Sequence, residues 1–315
     1  MNEASPVAEA SIVPTVPALW LYRSFASLTR MVPLRLSYAV AVAVADAFYY
    51  VWRSKRESTC RNFSQVFSLP PDHPKVRRVA RQSFHHYGRY IAELLHVQGV
   101  DLGGLRQRMV FRGREYLDEA VGYKRGVIFV SAHFGAMEVG SSAAPMLGYR
   151  ITAAVQPLKP KLLMDWIAAS RARLGVTLID RDKSGRKLLR VLRRGGLIAL
   201  VIDVGIQETG GVEVSFFGSP TVFPAGPAKI ARWSGAPLVF ALARRTADGR
   251  FIIQAAPPVL PRRSDDAQRD IQVTTQELVD IFADFVRQYP EQWYMFRDMW
   301  PWDGAQLPSA LRSRA

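Results

Sequence analysis

Residues 126–140 read GVIFVSAHFGAMEVG, and this stretch decides the fold class. The apolar run from Val127 to Val130 does not alternate with polar residues, which is typical of a strand buried on both faces. His133 follows after a short turn, and Glu138 comes five residues later in a predicted helix. The stretch therefore predicts a strand, a turn and a helix, with two ionisable side chains at the end of a buried strand.

The chain beyond this stretch continues the alternation of strands and helices. Further candidate strands are ITAAV, VTLI, LIALVID, PLVFALARR and FIIQAA. Helices are predicted between strands at residues 137–147, 160–174, 184–194 and 225–234. QVTTQELVDIFADFVRQYP predicts a last amphipathic helix that stops at Pro290. Apolar strands separated by helices indicate an α/β fold, with a central, mostly parallel mixed sheet flanked by helices.

The residues before this region have a different pattern. We predict a loose tail at 1–17, a helical region at 18–105 and an α/β core at 106–315, with helical region and core as one continuous domain. Residues 36–52, LSYAVAVAVADAFYYVW, are apolar, but they are barely long enough to cross a bilayer and they contain Asp46. A helix in the membrane interface is therefore favoured over a span, which stays open as the alternative.

The net charge limits the classes of partner. The 315 residues include 42 Lys and Arg against 27 Asp and Glu, a formal net charge of +15. Such an excess indicates a nucleic acid, an anionic membrane face or a phosphorylated substrate as partner. The stretch RDKSGRKLLRVLRRGG is either a solvated helix face or a contact with such a membrane. A single cysteine, Cys60, excludes an internal disulfide framework.

His133 and Glu138 form the pattern HxxxxE, and Asp203 ends another predicted strand at the same edge of the sheet. A neutral imidazole can take a proton from a hydroxyl near pH 7, and a carboxylate on its other nitrogen fixes the tautomer. The spacing alone is also compatible with a surface histidine, and Asp203 with the cap of a turn. The pattern thus favours acid–base chemistry without establishing it.

A metal or nucleotide cofactor is not predicted. His86, Glu93 and His96 fall close together on a helical wheel, but a carboxylate–histidine metal site of this kind needs a second such helix. Neither GxxxxGKS/T nor GxGxxG occurs between a predicted strand and a helix.

Several motifs together resemble the bacterial lipid A biosynthesis acyltransferase family, which includes the phosphatidylinositol mannoside acyltransferases. The motifs are RNFSQVF, GRYIAELL, SAHFGAMEVG, SRARLG, VEVSFFG, FPAGPAKIA and YPEQWYMF. The chain has DV where many lipid A enzymes have DQ, and Arg297 stands alone in MFRDMW. FPAGPAK is closer to the mannoside branch. These departures leave the acceptor open.

The resemblance implies transfer of a fatty acyl chain from acyl-CoA or acyl carrier protein, with no cofactor, to a hydroxyl of a membrane glycolipid. It implies His133 as the general base, Glu138 as the residue that orients it, and Asp203 as a support. Arg171 would bind phosphate or polarise the thioester oxygen. Substrate contacts are expected from three more motif residues, Phe134, Gly218 and Gly226.

The same resemblance implies a location on the cytoplasmic face of the bacterial plasma membrane, with an anionic membrane surface and no nucleic acid as partner. The enzyme would be peripheral or held by one N-terminal helix. A non-catalytic basic protein that binds membrane or nucleic acid is the alternative. That alternative leaves His133 and Glu138 at the carboxyl edge of the sheet unexplained.

Overall fold

The computed structural model describes residues 32–96, 102–156, 161–180, 185–204 and 210–301. The tail predicted at residues 1–17 lies outside these ranges. The described part begins with four helices, α1 (Leu34–Val51), α2 (Arg53–Phe67), α3 (Pro74–His96) and α4 (Leu102–Gln107). Ser68 follows α2 in the left-handed conformation, with φ of 51°, and so turns the chain out of the helix.

Nine strands and seven further helices follow within the described residues. The strands are β1 (Met109–Arg112), β2 (Val127–Ser131), β3 (Ile151–Val155), β4 (Val176–Asp180), β5 (Leu197–Val201), β6 (Gly211–Phe216), β7 (Ser219–Pro224), β8 (Leu238–Arg245) and β9 (Phe251–Ala255). The helices are α5 (Arg114–Gly122), α6 (Met137–Ser141), α7 (Ala143–Met146), α8 (Lys161–Arg173), α9 (Gly185–Arg193), α10 (Gly226–Ser234) and α11 (Ala267–Gln288).

Seven strands form one sheet in the order β1-β9-β8-β2-β5-β3-β4. Strands β8 and β9 pair antiparallel, and the other neighbours in this sheet pair parallel. The predicted α/β fold with a mostly parallel sheet is therefore confirmed. Strands β2 and β5 are neighbours with Ser131 opposite Val201, so the residues two positions further on, His133 and Asp203, meet at one edge.

Two local predictions were wrong. The helix predicted at 137–147 is divided into α6 and α7, because Pro145 has no amide hydrogen to continue the helical bonds. Strands β1, β6 and β7 were not predicted. Strands β6 and β7 form a separate antiparallel hairpin whose turn is Phe217–Gly218, both with positive φ. Proline and glycine interrupt this segment, which hides its strand pattern.

One hydrophobic cluster joins the N-terminal helices to the sheet. It contains Phe63 of α2 and Phe84 of α3 together with Ile128 of β2 and Phe240 of β8. Phe282 of α11 is fully buried and stacks on Phe240 at a centroid distance of 5.8 Å. Each such side chain contributes about 1.5–3 kcal/mol through burial. Because the cluster contains residues of both parts, the helices and the sheet share one core.

Helix α1 has two unlike faces. Toward α3, the Tyr38 hydroxyl donates to Oε1 of Glu93 at 2.7 Å, and Asp46 accepts hydrogen bonds from Arg81 and His85. These two bonds hold the pKa of Asp46 well below its usual range. The exposed side carries an apolar stripe, about half exposed at each position, that consists of Leu36, Val40, Val44, Phe48 and Trp52.

Within the described residues, α1 is the one helix long and apolar enough to cross a membrane, and 11% of it is buried.

A buried ion pair connects α3, against which α1 packs, to the sheet. Nε and Nη2 of Arg245 in β8 donate to the two carboxylate oxygens of Glu93, both at 2.6 Å. Tyr38, Glu93 and Arg245 thus tie α1, α3 and β8 together.

Candidate active site

His133 and Asp203 form a close pair at the carboxyl edge of the sheet. The backbone amide of His133 donates to Oδ1 and Oδ2 of Asp203 at 2.8 and 2.9 Å. Nδ1 of the imidazole lies 3.0 Å from Oδ1 of the same carboxylate. This arrangement fixes the ring with Nδ1 toward Asp203, and it leaves Nε2 as the nitrogen that can contact a substrate.

Trp293 is a third member of this group that sequence reasoning missed. Its indole Nε1 donates to Oδ2 of Asp203 at 3.1 Å, and both side chains are fully buried. The Tyr294 amide also donates to the carbonyl oxygen of His133, at 3.2 Å. The YPEQWYMF motif contains these two residues, but nothing in its spacing links it to a carboxylate that lies 90 positions away.

Several effects act on the protonation of His133. Burial lowers the pKa of the imidazole, the charge and hydrogen bonds of Asp203 raise it, and the charge of Arg297 lowers it. The net result is a pKa above the usual value of 6.5. The side chain is nevertheless 38% exposed, because one edge of the ring faces a cavity.

Glu138 does not orient His133, which corrects the role predicted from the HxxxxE spacing. The Glu138 carboxylate is fully buried, and it accepts from Nε and Nη2 of Arg171 at 3.2 and 3.0 Å. Burial lowers the pKa of Arg171, but the Glu138 charge and hydrogen bond raise it to a net value above normal. Asp203, from the neighbouring strand, occupies the place expected for Glu138.

The cavity beside His133 has a volume of about 1480 Å³, larger than the roughly 300–1,000 Å³ of sites for drug-sized ligands. His133, Asp203, Arg171 and Gly226 line it. Ile91 and Leu94 of α3, together with Val44 and Phe48 of the α1 stripe, add an apolar wall, so the cavity opens beside this stripe. The site is therefore wide enough for a lipid chain beside a histidine.

Two of the predicted substrate-contacting residues lie elsewhere. Phe134 is 1% exposed within the hydrophobic core, where its backbone pairs with that of Trp293. Gly218 lies in the β6–β7 turn with φ of 79°, a conformation that glycine adopts without strain. Neither residue is among those that line the cavity, so their predicted substrate contacts are not supported by the structure.

Three further features singled out in the sequence are Glu93, the basic stretch and Cys60. Glu93 is the ion-pair partner of Arg245 described above. Of the basic stretch, Leu188 and Leu192 are buried, while the described cations are exposed. Lys183 lies outside the described residues. Cys60 is buried and free.

Comparison with known proteins gives a consistent result. A family model described as bacterial lipid A biosynthesis acyltransferase matches residues 8–301. The phosphatidylinositol mannoside acyltransferase of Mycobacterium tuberculosis H37Rv is 28% identical over 285 residues, 86% of this chain and 87% of that protein. Its counterpart in Mycolicibacterium smegmatis is 28% identical over 83% of this chain and 85% of that protein. The lipid A biosynthesis lauroyltransferase of Escherichia coli K12 is 28% identical over 50% of this chain and 51% of that protein.

Proposed function

The chain belongs to the bacterial lipid A biosynthesis acyltransferase family, and we propose that it transfers a fatty acyl chain from an acyl thioester to a hydroxyl of a membrane glycolipid. Acyl transfer follows from family membership, whereas the donor, the acceptor and the residue roles are proposed. The observation that carries them is the position of His133, whose imidazole is held by Asp203 at the wall of a large cavity.

In the proposed reaction, Nε2 of His133 takes the proton of the acceptor hydroxyl while the hydroxyl oxygen attacks the thioester carbonyl carbon. The carbon–sulfur bond then breaks, and the imidazolium gives its proton to the departing thiolate. The acyl group passes directly to the acceptor, so that no nucleophilic serine or cysteine is needed.

Asp203 acts as the positioning residue for this base. With Nδ1–H donated to the carboxylate, the ring keeps the tautomer in which Nε2 is free to accept a proton. The negative charge also stabilises the imidazolium that forms during the attack. The backbone amide of His133 and the Trp293 indole hold the carboxylate in place.

Arg171 has a separate proposed role. Glu138 accepts from Nε and Nη2 of this guanidinium, so we assign Nη1 to the carbonyl oxygen of the thioester. A positive charge there stabilises the negative charge that develops on the oxygen as the hydroxyl attacks. Glu138 then acts by positioning Arg171 and does not contact the base.

The acceptor that we favour is a phosphatidylinositol mannoside-like glycolipid. Relatives with that name align over most of their length, whereas the lauroyltransferase aligns over half. A lipid A-like acceptor is the alternative. The apolar wall from α1 and α3 suits the acyl chain, which enters as a thioester of CoA or of acyl carrier protein.

The proposed location is the cytoplasmic face of the bacterial plasma membrane. The apolar stripe of α1 and the charge of +15 suit an anionic leaflet, because each basic residue near such a surface contributes about 1 kcal/mol. Tyr38 and Asp46 of α1 are both bonded to α3, so α1 packs against this helix from Tyr38 to Asp46. This packing favours a helix in the interface over one that crosses the bilayer.

The test is thiol release from palmitoyl-CoA and from palmitoyl acyl carrier protein, each with a mannoside extract or a lipid A precursor. We expect acceptor-dependent release that falls about 10²–10⁴-fold in His133→Ala. His73→Ala, in the α2–α3 turn and away from the cavity, is the matched control. Release unchanged in His133→Ala would contradict the mechanism, and no release by wild type with any pair would contradict the donor class.

A further inference from the structure

The cavity beside His133 has an unbalanced set of charges. Among the described residues that line it, Asp203 is the one acid, and it is already bonded to His133. Six cationic side chains line the same cavity: Lys55, Arg112, Arg114, Arg171, Lys229 and Arg297. Two of these have acidic partners, since Arg171 pairs with Glu138 and Arg114 with Asp118.

Arg297 is the cation in this set that acts on His133. Burial lowers the pKa of the imidazole, and Asp203 raises it. The next influence is the charge of Arg297, which lowers this pKa. Its side chain is exposed, and among the described residues no carboxylate lies within ion-pairing distance of it. The acyl-transfer mechanism has no use for this guanidinium.

The backbone around Arg297 is fixed by Asn62 of α2, which is 2% exposed. Nδ2 of Asn62 donates to the carbonyl oxygens of Met295 and Arg297 at 3.2 and 2.8 Å. Oδ1 of the same amide accepts from the Met299 backbone amide at 3.0 Å. Asn62 thus holds the segment on both sides of Arg297 and sets where its side chain begins.

The acid next to Arg297 in the sequence is used elsewhere. Asp298 accepts from Nε and Nη2 of Arg61 at 2.8 and 2.9 Å, and from the Ser58 hydroxyl at 3.1 Å. It therefore does not neutralise Arg297. The RNF motif of α2 supplies both Arg61 and Asn62. It therefore occupies the neighbouring acid and holds the backbone, while Arg297 has no acidic partner among the described residues.

We propose that Arg297 binds a phosphate group of one of the two substrates while that substrate is at His133. A guanidinium offers two parallel N–H donors that match phosphate oxygens, and three further cations of the cavity without an acidic partner in the described part of the chain, Lys55, Arg112 and Lys229, strengthen the attraction. The phosphate belongs either to the lipid headgroup of the acceptor or to the donor, which carries it on CoA or on phosphopantetheine. This assignment rests on the proposed function of the cavity.

The first test measures binding and does not depend on turnover. CoA and phosphatidylinositol micelles are titrated separately into wild type, Arg297→Gln and Arg297→Lys, and the His133 imidazole is followed by NMR. Arg297→Gln is expected to weaken binding of one probe about tenfold, and the affinity of Arg297→Lys should lie between those of wild type and Arg297→Gln. It is also expected to raise the pKa of His133 without any ligand. Arg250→Gln, which lies outside the cavity, is the matched control.

The two probes separate the sources of the phosphate. Weaker binding of CoA alone assigns Arg297 to the donor, and weaker binding of phosphatidylinositol alone assigns it to the lipid headgroup. Equal affinities of wild type and Arg297→Gln for both probes would overturn the proposal.

Steady-state kinetics give a second reading. Arg297→Gln should raise KM for the assigned substrate with a smaller effect on kcat. If wild type binds phosphate through Arg297 but releases no thiol, the proposed function fails while the anion site stands. Thermal melts should match between wild type and Arg297→Gln because the side chain is exposed.

Discussion

The indole of Trp293 donates a hydrogen bond to the Asp203 carboxylate, which also accepts from the imidazole of His133. The three groups come from two neighbouring strand ends and from the segment after α11. Asp203 is fully buried, and its donors offset the cost of removing a carboxylate from water. The candidate base is therefore held by a carboxylate that is itself held by a tryptophan.

Trp293→Phe should lower both stability and activity. It leaves a buried carboxylate oxygen without one donor, which costs about 1–3 kcal/mol in the free energy of unfolding. We expect kcat to fall about tenfold, because the imidazole loses part of its support. Trp300→Phe is the control, because it removes another buried indole hydrogen bond, to the Phe216 carbonyl oxygen, and leaves the donors to Asp203 in place. Equal effects of both variants on kcat would argue against a positioning role for Trp293.

The pH profile of kcat/KM should report on the His133–Asp203 pair. The pKa of His133 is raised, and a general base must be neutral, so activity should rise with pH through a limb above 6.5. Asp203→Asn removes the group that raises this pKa, so the limb should move to lower pH while kcat falls about 10²–10⁴-fold. Asp180→Asn, at the end of β4, provides a control from another strand end. A limb that stays in place in Asp203→Asn would refute the pairing as the cause.

Glu138→Gln should behave differently from Asp203→Asn. It breaks a buried ion pair and leaves Arg171 without its partner, which costs about 3–5 kcal/mol in stability. Chemical denaturation and the pH profile of the same samples are the measurements. The acid limb should stay where it is in wild type, because Glu138 does not contact the imidazole. A limb that moves as in Asp203→Asn would restore the role predicted from the HxxxxE spacing.

The apolar stripe of α1 should govern binding to anionic vesicles. Leu36→Glu with Val40→Glu places two charges on the exposed face without touching the buried side, and we expect partitioning to fall at least about tenfold. Leu260→Glu, another exposed apolar position, is the control for added charge. Partitioning that responds equally to Leu260→Glu would point to net charge alone.

The fold and the edge of the sheet were predictable because they depend on local patterns. Buried strands of four to six apolar residues identified β2 and β5, and the carboxyl ends of parallel strands must meet, which placed His133 and Asp203 together. Strand β1 and the β6–β7 hairpin were missed, since their residues are partly exposed or interrupted by Gly and Pro.

The partner of His133 was predicted wrongly because a short spacing in the sequence looked sufficient. Glu138 is five positions away, but it lies on a helix that turns it toward Arg171, 33 positions along the chain. Asp203 is 70 positions away and reaches His133 through the register of two neighbouring strands. Strand order determines such contacts, and no periodicity within one segment reveals strand order.

The link from Tyr38 through Glu93 to Arg245 joins α1 to β8 of the sheet that carries His133. If the stripe of α1 rests on the bilayer, His133 works at one fixed height above the lipid headgroups. The distance of His133 from the headgroups then selects the hydroxyl: among chemically similar hydroxyls of the acceptor, the one that projects to this height is acylated. Lengthening or shortening the sugar of the acceptor would change which position reacts, even with every residue around His133 left in place.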